Sequence, residues 1–66
     1  MSISEEYADR LELILNGAQE YEGELTDWER GFIQDTVERY EKYGTNIRVS
    51  DKQWVILERI WGKLPL

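Results

Sequence analysis

Apolar side chains recur along this chain at helical spacing, and three such segments can be read. In the first, Ile3, Tyr7, Leu11, Ile14, Leu15 and Ala18 fall on one arc at about 100° per residue. A start near Ser2 or Ser4 suits that arc. Asn16-Gly17 offers a stop, because glycine takes the left-handed C-terminal conformation easily. Yet Ala18 and Tyr21 keep to the same face. The pattern predicts a helix over about 4–16, or one that runs through Gly17 to about 22, at about 1 kcal/mol relative to alanine.

The second segment, about 27–43, opens with Thr26-Asp-Trp-Glu29. This is a capping box, in which Thr26 accepts from the N3 amide and Glu29 reaches back to the Thr26 amide. Trp28, Phe32, Ile33, Thr36, Val37, Tyr40 and Tyr43 then cover about half the circumference. Asp35–Arg39 and Glu38–Lys42 have the favourable acid-to-base i,i+4 polarity, and Gly44 closes the segment. The third, about 51–63, opens with Ser50-Asp-Lys-Gln53, a second box. Val49 and Trp54 have the spacing of a hydrophobic staple. Trp54, Ile56, Leu57, Ile60, Trp61 and Leu64 form its arc, and Pro65 ends it.

No strand-like alternation exceeds a few residues. The expected fold is therefore all-α: one domain over 1–66, an antiparallel helical hairpin with the first helix packed on it. Short connections near 22–26 and 44–49 favour antiparallel neighbours. Ile47 is placed to tuck under the hairpin. The expected core is Leu11, Leu15, Trp28, Phe32, Val37, Tyr40, Trp54, Leu57, Ile60 and Trp61.

Composition narrows the chemistry. The chain has 66 residues, no Cys and no His. A domain this small buries only about 60% of its unfolded surface, too little for a core and a deep cleft together. Thiolate or imidazole chemistry and the commonest zinc sites are excluded. Glu20, Glu22 and Glu24, like Glu38 and Glu41, read as solvated faces, and Ser50 and Thr26 are explained as caps. The expectation is no enzyme and no cofactor. No secretory or membrane-spanning run is evident, and the missing cysteines are compatible with a cytoplasmic protein.

From Leu25 onward the chain resembles a short helical module of small phage proteins and of the ends of some phage nucleic-acid enzymes. Its pattern is Leu-Ser/Thr-x-Trp-Glu-x-x-Phe-Ile, a helix, then Leu-Ser-x-Lys-Gln-x-x-x-Leu-x-x-Ile. Leu25, Thr26, Trp28, Glu29, Phe32 and Ile33 match the first half. Ser50, Lys52, Gln53, Leu57 and Ile60 match the second, with Val49 where Leu is commoner. The resemblance implies a phage setting and a hairpin that folds by itself. It carries no activity, and residues 1–24 lie outside it as an added helix.

Charge then separates the candidate surfaces. The net charge is −6, from −6 over residues 1–24, −2 over 25–44 and +2 over 45–66. Glu5, Glu6, Asp9 and Glu12 form an acidic helix face suited to a basic groove that normally receives nucleic acid. Arg48, Lys52, Arg59 and Lys63 are the alternative, a basic stripe suited to phosphate or an acidic partner, or to pairing with the acidic helix of the same molecule. Leu13 and Val55 fall outside the apolar arcs and suit a partner patch or self-association. The leading expectation is a non-enzymatic protein-binding module that inhibits a host nucleic-acid-handling machine. The rivals are an accessory module of phage replication or recombination that binds nucleic acid, and a homodimeric structural protein.

Overall fold

The computed structural model describes residues 5–65, which form three α-helices and two single 3₁₀ turns and contain no strand. Helix α1 spans Glu5–Glu20, α2 spans Asp27–Tyr43 and α3 spans Asp51–Lys63. The expected start at Ser2 or Ser4, and Ile3, lie outside the described residues.

Helix α1 runs through Gly17 instead of stopping at Asn16. Gly17 and Ala18 are both buried, so small residues on this face suit the neighbouring helices. Ala8, Leu11, Ile14, Leu15 and Ala18 form the buried stripe at helical spacing. The Gly17 carbonyl accepts from the Tyr21 amide at 3.0 Å, and the turn Glu22–Glu24 then brings Leu25 into the core.

Both capping boxes form. Thr26 Oγ1 accepts from the Glu29 amide at 3.2 Å, and Glu29 Oε1 accepts from the Thr26 amide at 2.9 Å. Ser50 and Gln53 repeat this with the same two distances. Each box satisfies amides that a helix start leaves unpaired. Gly44 ends α2 at φ 55°, ψ −132°, a conformation that favours glycine. The next connection is pinned at two points: Ile47 is buried, and Arg39 Nη2 donates to the Arg48 carbonyl at 3.0 Å. That contact takes Arg39 away from Asp35. Lys42 lies over the Tyr43 ring instead of pairing with Glu38. Arg30 plays Arg39's part for the first connection, donating to the Leu25 carbonyl at 2.9 Å while pairing with Asp27.

The core is aliphatic, whereas half of the expected core residues are aromatic. Leu11, Ile14, Leu15, Ala18, Leu25, Ile33, Ile47, Leu57, Ile60 and Leu64 are buried together. Phe32, Val37, Tyr40, Trp54 and Trp61 sit partly buried around them. Trp28, expected in the core, is instead 62% exposed, stacked on Phe32 with ring centroids 5.5 Å apart. A helix of a three-helix domain buries a narrow stripe, and Trp28 lies in the first turn of α2 at the edge of a half-circumference arc.

Helix α1 approaches both α2 and α3 more closely than those two approach each other. It meets α3 through Tyr7 against Trp54, centroids 5.5 Å apart, and through Arg10, whose guanidinium lies 5.1 Å from the Trp61 ring. Arg10 also makes a fork on Glu58, Nη2 to Oε1 at 2.6 Å and Nε to Oε2 at 3.2 Å. The first helix is thus integral to the core.

Leu57→Ala should cost about 2–5 kcal/mol in chemical denaturation, as a cavity in a dry core does. Trp28→Ala should stay within about 1 kcal/mol, as a surface change does; equal losses from the two would contradict this placement of the core. A fragment of residues 25–66 should show little cooperative helix by far-UV circular dichroism, because it lacks the α1 stripe. A folded fragment would show that the hairpin stands alone.

Candidate functional site

The looser approach of α2 to α3 leaves an open groove of about 480 Å³, lined by Thr26, Trp28, Glu29, Lys52, Val55, Ile56 and Arg59. The capping boxes position several of its walls. One places Trp28 in the first turn of α2, and the other places Lys52 in the first turn of α3. Val55, Ile56 and Arg59 follow on the flank of α3 shared with Lys52.

Glu29 is the polar fixture of this groove. It is 9% exposed, and its Oε1 accepts from Lys63 Nζ at 2.6 Å as well as from the Thr26 amide. The Lys63 hydrogen bond first, and the Thr26 amide second, hold its carboxyl below the usual glutamate range. A cap of one helix is therefore also the clasp to the end of another. The sequence supplied the cap half of this role. It gave no sign of Lys63, because the two residues lie 34 positions apart.

The structure divides the basic stripe. Lys52 and Arg59 line the groove together, exposed, and neither has a carboxylate partner among the described residues. Lys63 leaves the candidate set as a free cation, since Glu29 engages it. Arg48 lies apart, in a separate hollow with Arg39, Tyr43 and Asn46. The spacing of Trp28 predicts a core position, and the structure makes it a groove wall. Its place at the margin of an over-wide apolar arc was the available clue.

Glu5, Glu6, Asp9 and Glu12 are all exposed on α1, and no described base pairs with them. Pairing between the basic stripe and this face is not what holds the helices together. The α1–α3 bridge has the opposite sense, with the base, Arg10, on α1 and the acid, Glu58, on α3. The Glu58 hydrogen bond raises Arg10 above its already high range. Leu13, 49% exposed, stands within the acidic arc, because it follows Asp9 by four residues and Glu6 by seven. Among the described residues there is no cluster of three or more potential metal-ligating side chains, and no helix is long and apolar enough to cross a membrane.

Acid should reveal the Glu29 clasp. Its carboxyl is depressed in the folded state, so its contribution is present in full above about pH 4.3 and is lost as pH falls below that. Glu29→Gln keeps an acceptor but removes the charge facing Lys63. The stability difference between wild type and Glu29→Gln should shrink from about pH 6 to about pH 2 in thermal melts. A constant difference would rule out the ion pair as its cause.

Comparison of the chain with family models, with curated proteins and with solved structures finds no match.

Proposed function

We propose that this protein is a non-enzymatic protein-binding module, phage-encoded and cytoplasmic, that inhibits a host nucleic-acid-handling protein. The acidic face of α1 docks in a basic groove of that partner and occupies the place of nucleic acid. One observation carries the reading: Glu5, Glu6, Asp9 and Glu12 stand exposed around Leu13 with no compensating base among the described residues. Unpaired carboxylates steer toward positive surfaces, and an apolar residue among them gives such an encounter something to bury. The phage setting rests on the Leu25-to-Ile60 resemblance.

The test is affinity capture of a nucleic-acid-handling protein from the host by the tagged chain. Reversing Glu5, Glu6, Asp9 and Glu12 to Lys should abolish capture while far-UV circular dichroism stays unchanged. Undiminished capture would sink the reading.

A second reading has its own observation. Trp28 presents an exposed ring beside Lys52 and Arg59, an arrangement that suits base stacking with phosphate contact. It gives an accessory module that binds single strands. With two cations, the salt slope should be about −1.4, and binding should vanish on Lys52→Glu with Arg59→Glu. The inhibitor reading expects no oligonucleotide binding even at low salt.

A further inference from the structure

Two surfaces of this molecule are complementary to each other. The α2–α3 groove exposes Trp28 at 62% and Val55 at 57%, with Lys52 and Arg59 beside them. Helix α1 exposes Leu13 at 49% on an arc shared with Glu6 and Asp9. One surface is apolar with unpaired cations. The other is apolar with carboxylates that no described base pairs with.

They also face different ways. Tyr7 and Arg10 of α1 meet α3 at Trp54, Glu58 and Trp61, whereas the groove uses Lys52, Val55, Ile56 and Arg59. At about 100° per residue these are opposite flanks of α3, so the groove is turned away from α1. The acidic arc of α1 is in turn opposite its own buried stripe. A groove set against a second groove would crowd four cations together, so like charge disfavours that pairing.

We propose that the protein self-associates head to tail, with the Glu6–Asp9–Leu13 arc of α1 in one copy seated in the Trp28–Val55 groove of the next. Leu13 covers the exposed Trp28 and Val55 surface, and the carboxylates meet Lys52 and Arg59. Glu29 does not oppose this, because its carboxylate is already engaged by Lys63 and the Thr26 amide. The two patches lie on opposite sides, so each copy added leaves one groove and one helix face open, and the assembly extends. The net charge of −6 opposes approach at range, so association belongs to high concentration and moderate salt. Self-association goes beyond partner binding but draws on the same α1 face, so a bound partner competes with it. It requires this chain alone, and its failure leaves the partner reading standing.

Sedimentation equilibrium from about 10 μM to about 1 mM tests it. The average mass of the wild type should rise past the 7.9 kDa monomer and beyond twice that value without a plateau. Trp28→Ala with Val55→Gln should block the groove. Leu13→Gln, Glu6→Gln and Asp9→Asn together should block the helix face. All five positions are exposed, and circular dichroism checks that the fold survives. Each blocked variant alone should associate at least about tenfold more weakly. Mixed, they should form a complex of two chains and nothing larger, since one working groove and one working helix face remain. A monomeric wild type at about 1 mM, an unaffected blocked variant, or a mixture that stays monomeric would each overturn the proposal.

Discussion

In a chain of 66 residues, the apolar stripe of α1 has to serve both of the other helices. Leu11, Ile14 and Leu15 are buried between them, and Ala18 and Gly17 extend the stripe with small side chains where the helix continues. Once α1 is central, its contacts with α3 follow. Tyr7 lies on Trp54, and Arg10 spans Glu58 and Trp61. A surface fork of this kind adds little stability by itself, because exposed pairs are screened. It marks the flank of α3 that faces α1, which the burial of Leu57 and Ile60 sets, and therefore which flank is left over.

That left-over flank becomes the groove. Since α2 and α3 each lean on α1, they stay further from each other, and Glu29 with Lys63 bridges the gap. A single carboxylate oxygen takes both the Thr26 amide and the Lys63 ammonium. The buried charge is thus paired and hydrogen-bonded, the condition under which burial is tolerated. Among the described residues the rest of the gap has no such bridge, and Trp28 and Val55 stay exposed.

The distribution of charge follows from the same arrangement. The acidic arc of α1 faces outward because its other face is the core. Lys52 and Arg59 stand on the α3 flank that α1 does not reach. Charges of opposite sign that intramolecular pairing would have cancelled are therefore both displayed. A domain too small to enclose a cleft can still present two chemically distinct surfaces in this way.

Local chemistry was legible in the sequence. Thr26-x-x-Glu29 and Ser50-x-x-Gln53 set two helix starts, and Gly44 and Pro65 set the ends, because capping and backbone restriction act within a few residues. The all-α class and the burial of Leu11, Leu15, Leu57 and Ile60 were legible too, since a periodic stripe has one way to be buried. The exposed acidic face of α1 was equally readable. What the sequence left open is whatever depends on which stripe edge meets which neighbour. Trp28 had helical spacing but lies at the margin of an arc wider than a narrow helix contact can cover, and Tyr43, well inside that arc, is the last residue of α2 and stays exposed. Lys63 looked like a member of a free stripe with Lys52 and Arg59, yet it faces Glu29, 34 residues away. Arg39 had an acid four residues before it and turned to the Arg48 carbonyl. Periodicity fixes the face of a helix on which a side chain stands. Only the packing of α1 between the other two decided which edges of those faces are covered, which charges are paired and where the groove opens.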